Sequence, residues 1–168
     1  MNIVLDASSI INLVNGSAFN TILNISGCQF FIGPQSAEEC GDEAGQVLTS
    51  AIERNTVTMI NDDDIPAADF IALLEEHGLG SGETECLMFC KLLGLSICSD
   101  DRQARNVAKR TLGRDRVTGS LGLLRRVVQA HSLTASDAFS IYQRMKLQGG
   151  FLPIVDVSFF SKQPLQHK

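Results

Sequence analysis

The chain has 168 residues, 44% of them hydrophobic and 20% charged, the make-up of one ordinary globular domain that buries roughly 70% of its unfolded surface without a metal or disulfide staple. No run approaches the ~18 apolar residues of a membrane span, and the start MNIVLDASS carries an acid where a signal peptide carries bases. Five cysteines at irregular spacing, with three histidines, indicate neither a disulfide framework nor a thiolate zinc site. The expectation is a cytoplasmic protein whose cysteines are small core residues. The net charge of −5 hides a segregation: residues 1–101 hold 16 of the 19 acids, and residues 102–168 hold twelve of the 14 bases, eight of them between Arg102 and Arg126. Such asymmetry suits a protein that gathers carboxylates around a cation and offers a basic face to a polyanion.

Asn2 to Leu5 form an apolar run that ends in Asp6 and leads into Ile10, Ile11, Leu13 and Val14, a buried strand followed by a helix start. Gln29 to Ile32 form a second strand, and Pro34 opens a helix read as continuous to about Arg54, weakened early by Gly41 and Gly45. Val57 to Ile60 are a third strand before the acidic turn Asn61-Asp62-Asp63-Asp64, and a helix runs from Pro66 to about His77. The link Gly78-Leu79-Gly80-Ser81-Gly82 opens the next helix, Glu83 to Leu93. Leu95 to Cys98 are a strand ending in Ser99-Asp100-Asp101, a basic helix follows from Arg102 to about Thr111, and Arg116 to Thr118 are a last short strand. Helices at about 119–130 and 136–148 precede an apolar tail, Phe151 to Phe160, expected to pack back on the body. Strands alternating with helices predict an α/β three-layer sandwich with a mainly parallel sheet, one domain over residues 1–160, and a flexible tail at 161–168.

In a parallel sheet ligands sit beyond the C-terminal strand ends, where Asp6 and Asp100/Asp101 fall. Glu39, five residues after Pro34, and Glu83, directly after the glycines, reach the same edge. Several acids in one cleft repel one another unless a cation neutralises them, and all-oxygen ligation favours Mg²⁺ or Mn²⁺ over zinc. Each acid also has a plain structural use. Asp6, Asp100 and Asp101 suit helix N-caps, Glu39 a solvated helix face, and Glu83 the favourable end of a helix dipole. Glu38 stands as the alternative to Glu39. Gly78 to Glu83 follow a helix rather than a strand, which argues against a dinucleotide fingerprint, and no Walker A sequence occurs.

Asp6-Ala7-Ser8, Pro34 with Glu39, Gly80-Ser81-Gly82-Glu83-Thr84-Glu85-Cys86 and Ser99-Asp100-Asp101-Arg102-Gln103-Ala104-Arg105 resemble the four acidic motifs of the PIN-domain nucleases. The resemblance is to the prokaryotic VapC-like branch, and Val117-Thr118-Gly119-Ser120-Leu121-Gly122-Leu123-Leu124 extends it over nearly the whole chain. It implies a metal-dependent endoribonuclease of the toxin type, with Asp6, Glu39, Glu83 and Asp101 as catalytic and metal-binding acids and Mg²⁺ or Mn²⁺ as cofactor. Glu85 and Asp100 are further metal candidates for a second ion, and Ser8 and Ser99 supporting orienters. An antitoxin partner and a homodimer follow from the same resemblance, and exposed apolar surface on the early helices would fit such contacts. Arg102, Arg105, Lys109 and Arg110 are the candidates for RNA phosphates, 102, 105 and 109 sharing one helix face. A salt bridge to the acidic cluster is an equal use for Arg105. The alternative function is a catalytically silent fold that binds a protein or nucleic acid, and the same chemistry permits DNA cleavage.

Overall fold

The structure is a computed structural model that describes residues 1–61, 63 and 65–161. Asp62 and Asp64 of the acidic turn, and residues 162–168 of the expected flexible tail, lie outside the described residues. Five short strands, β1 (Asn2–Leu5), β2 (Gln29–Ile32), β3 (Val57–Met59), β4 (Ser96–Cys98) and β5 (Val117–Thr118), make a wholly parallel sheet in the order β3-β2-β1-β4-β5. Alternation along each strand divides the core. Ile3, Leu5, Phe30 and Ile32 face one layer, while Val4, Phe31 and Ile97 face the other. Ile3, Val4 and Leu5 are all fully buried, which is why the central strand reads as a continuous apolar run rather than an alternating one.

The first layer is formed by α1 (Ala7–Asn15), α2 (Phe19–Leu23), α4 (Gly41–Glu53), α8 (Ser120–Gln129), α9 (Ala135–Leu147) and α10 (Ser158–Ser161). The opposite layer is formed by α5 (Ala67–His77), α6 (Ser81–Leu93) and α7 (Arg102–Leu112). The result is the three-layer α/β sandwich expected from the alternation of strands and helices. Four of the five cysteines are buried and none is in a disulfide; burial pushes the Cys40 and Cys90 thiols up to about 12, so they pack as neutral groups.

The helix expected from Pro34 to Arg54 is divided. After α3 (Pro34–Glu38) the chain turns through Glu39 and Cys40, and Gly41, the first residue of α4, takes a left-handed φ of +70°. The break leaves Glu39 at the end of α3, free to turn toward the sheet edge instead of lying along a helix face. The tail packs back on the body in part: Leu152 and Phe160 are buried in the core, whereas Phe151 and Ile154 are exposed. No helix among the described residues is long and apolar enough to cross a membrane.

The strand order places a topological switch beside β1. The chain moves outward through β2 and β3, then returns to lay β4 on the other side of β1. Connections therefore leave β1 and β4 toward opposite layers, and a crevice opens beyond their C-terminal ends.

Candidate active site

Asp6 follows β1 and Ser99, Asp100 and Asp101 follow β4, so both segments meet at this crevice. The Asp6 amide donates to the Cys98 carbonyl at 2.9 Å, carrying the β1–β4 ladder just past the strand end. Its carboxylate, on a residue only 2% exposed, accepts hydrogen bonds from the Ser8 hydroxyl and from the Ser99 hydroxyl, the latter at 2.8 Å. Each hydroxyl in turn accepts a backbone amide of the turn between β4 and α7: Asp100 N–H on Ser8 Oγ at 3.0 Å, and Asp101 N–H on Ser99 Oγ at 3.1 Å. Thus Ser8 and Ser99 tie Asp6 to the turn that carries Asp101. Burial raises the Asp6 carboxyl above the ordinary carboxylate range; the two hydroxyls oppose that rise and the negative Glu39 adds to it.

Three more acids are placed by helix ends. Glu39, at the close of α3, accepts the Gly82 N–H in the first turn of α6 at 2.9 Å. Glu83 folds back to accept the Gly80 N–H at 2.9 Å, completing a capping interaction at the start of α6. Asp101 caps α7 by accepting the Ala104 N–H at 2.7 Å. Glu83 is raised by burial first, then by the negative charges of Asp6, Asp101 and Glu39, while its bond to Gly80 opposes the rise. Four carboxylates from four separate segments therefore share one electrostatic environment. Glu39, and not its neighbour Glu38, is the member of that pair that acts on Asp6 and Glu83.

The two acids considered for a second ion, Glu85 and Asp100, each accept hydrogen bonds from other segments of the chain. Glu85 is 1% exposed and accepts the amides of Gln35 and Ser36, at 3.1 and 3.2 Å, in the first turn of α3. Ser36 Oγ donates back to the Gly82 carbonyl at 3.1 Å, so α3 and α6 interlock. Asp100 accepts Asn12 Nδ2 at 2.8 Å and the Ser120 N–H at 2.9 Å, joining α1 and the start of α8 to the turn after β4. Arg105, for which a phosphate contact and an ion pair were equal expectations, donates to the carbonyls of Ser99 and Asp100 at 3.1 and 2.8 Å and lies 3.8 Å from the Asp100 carboxylate. Its guanidinium secures the turn. Asn12 was not singled out in the sequence, although it stands one helical turn after Ser8, on the same face of α1.

Arg102, Lys109 and Arg110 are exposed on α7 and line a cleft of about 1080 Å³ that also includes Ser8 and Asp101. Among the described residues the larger exposed apolar side chains lie at Met1 and on β3, α5, the end of α6, α9 and the C-terminal segment, and not on the early helices, where such surface would have suited partner contacts.

Among the described residues no three His, Cys, Asp or Glu side chains converge as they stand into a metal-binding group. Asp6, Glu39, Glu83 and Asp101 each hold a hydroxyl or an amide of their own chain. The donor chemistry nevertheless fits a hard divalent cation: carboxylates, placed where Glu39 raises the proton affinity of Asp6, and Asp6, Asp101 and Glu39 raise that of Glu83. A cation at the crevice would relieve that repulsion and compete with those internal bonds.

A family model described as PIN domain matches residues 2–154. Neither the curated proteins nor the solved structures gave a match. The matched segment contains the whole sheet and all four carboxylates of the crevice, and on that extent the chain belongs to the PIN-domain family, whose members are generally nucleases.

Proposed function

We propose that the protein is a metal-dependent endoribonuclease in which Asp6, Glu39, Glu83 and Asp101 hold Mg²⁺ or Mn²⁺. The observation that carries this reading is the placing of these acids, from four distant segments, at one sheet edge, where Glu39 raises Asp6, and Asp6, Asp101 and Glu39 raise Glu83. Such a cluster opposes folding in the absence of a cation, so its presence favours cation binding over a purely structural role. A divalent ion, when bound, supplies a water of lowered pKa and neutralises charge that develops on a phosphodiester. The protein's own groups then have separate tasks. Ser8 and Ser99 orient Asp6, the α7 cap orients Asp101, Arg105 secures the turn between them, and Arg102, Lys109 and Arg110 attract the phosphates of the strand. A toxin role under the control of an antitoxin, and a homodimer, go with this reading. Exposed Ile71, Leu92 and Leu93 offer apolar surface for such contacts.

Cleavage of RNA with Mg²⁺ or Mn²⁺, with EDTA, and by Asp6→Asn and Asp101→Asn tests the reading. Asparagine still caps a helix, so Asp101→Asn preserves α7 while removing the charge. The expected result is loss of turnover with EDTA and a fall of roughly 100-fold or more in each variant, with unfolding curves showing that the fold is intact. RNA binding with no metal-dependent turnover would instead identify a silent binding module, and cleavage confined to DNA would move the substrate class.

A further inference from the structure

Phe151 is 100% exposed, yet the chain on either side of it is held. The Gly150 N–H donates to the Met145 carbonyl at 2.9 Å, and Gly150 is pressed so close that a Cβ there would lie 2.7 Å from both Asn12 Oδ1 and the Met145 carbonyl oxygen. Leu152 is buried, its carbonyl accepts Lys146 Nζ at 3.4 Å, and the Pro153 carbonyl accepts the Tyr142 hydroxyl at 3.1 Å. An anchored backbone thus displays one bare aromatic ring. Phe151 lines the same cleft as Arg102, Lys109, Arg110 and Asp101.

Resting on the nuclease reading above, we infer that Phe151 is a stacking platform for an unpaired base of single-stranded RNA whose phosphates lie along α7. Three exposed cations on one wall complement a polyanion, and an aromatic ring elsewhere in the wall complements a base. An anchored backbone leaves only the two side-chain torsions of Phe151 to be ordered on stacking. Duplex bases already have both faces covered, so the arrangement selects single strands. In a chain with no tryptophan and one tyrosine, it also supplies an aromatic surface that the composition made scarce.

The test is binding of a short fluorescein-labelled single-stranded RNA, and of the same RNA annealed to its complement, by anisotropy in EDTA, where no cleavage is expected. The full chain is compared with Phe151→Ala, Phe151→Leu, Phe151→Trp and Lys109→Ala. Single-strand affinity is expected to fall roughly tenfold or more in the alanine and leucine variants and to stay within about threefold for tryptophan. Duplex affinity should not change with residue 151. Wild-type affinity in Phe151→Leu, or an equal loss for duplex and single strand, overturns the platform. If Lys109→Ala weakens RNA binding while Phe151→Ala does not, the platform fails and the nuclease reading stands. If the wild-type chain neither binds RNA nor cleaves it, that reading falls and the platform with it. Loss of binding to a protein partner, with RNA binding intact, would reassign Phe151 to an apolar docking surface together with exposed Ile154.

Discussion

Asp6 keeps a carboxylate in a place that disfavours charge, and the consequence is measurable. Burial and the nearby negative Glu39 raise its folded-state pKa above the ordinary value, and Glu83 is raised by burial and by Asp6, Asp101 and Glu39. For a carboxyl raised in the folded state, the native form binds the proton more tightly than the unfolded chain. The destabilising effect is therefore full above the folded pKa and is relieved as pH falls through it toward the ordinary carboxylate range. Urea unfolding in EDTA should show these two groups contributing increasing stability as pH is lowered through that window, and Asp6→Asn should flatten the response. The same variant should raise the metal-free melting temperature near neutral pH by a few degrees, on the scale of about 2–4 °C per kcal/mol for a chain of this size, while abolishing turnover. A lowered melting temperature would show that the Ser8 and Ser99 bonds outweigh the cost of the buried charge.

At the scale of elements, the interlock of α3 and α6 separates acids that hold the fold from acids that face the crevice. Glu85 accepts two first-turn amides of α3, so Glu85→Gln puts an NH₂ group among donors and should cost about 1–3 kcal/mol in chemical denaturation. A ligand to the ion would instead show its main effect in metal affinity. Two glycines on either side of the interlock should respond differently to alanine. At Gly33 a Cβ would lie 2.1 Å from Glu85 Oε2 and 2.6 Å from the Phe89 ring, both buried, so Gly33→Ala should lose about 1–3 kcal/mol. At Gly82 the nearest atom is Glu39 Oε2 at 2.6 Å, the end of a flexible, exposed side chain. Gly82→Ala should thus alter stability by less than about 1 kcal/mol yet lower cleavage by displacing Glu39. The break after α3 was not visible in advance because glycine marks either a weak helix position or a left-handed turn, and only packing against α6 selects the turn at Gly41.

Across the whole molecule, the bases of α7 share a cleft with Asp100 and Asp101, the last acids of the acidic part of the chain. With Arg105 engaged by the turn after β4, three cations on α7 remain exposed to phosphate: Arg102, Lys109 and Arg110. A plot of log affinity for single-stranded RNA against log salt should then have a slope near −2, from about 0.7 per phosphate contact. Removing Arg110 should make it shallower by about 0.7. A slope near zero would place RNA away from α7. The fold itself was readable from local pattern, since a strand buried on both faces must be apolar throughout, as Asn2 to Leu5 nearly are, and parallel strands need helices between them.

What the order of residues determined by itself was the alternation of strands and helices, the placing of Asp6 and Asp101 just beyond strand ends, and the basic character of α7. These depend on neighbours near in the chain. Only tertiary structure decided which donors reach each acid. Glu83 and Glu85 stand two positions apart, but a helix turns about 200° between them, and the amides that claim Glu85 belong to α3, some fifty residues earlier. Asp100 and Asp101 are adjacent, yet Asn12 and the start of α8 hold one while the other caps its own helix. A carboxylate takes its role from the donors that reach it, and here those donors arrive from distant segments only when the sheet has assembled.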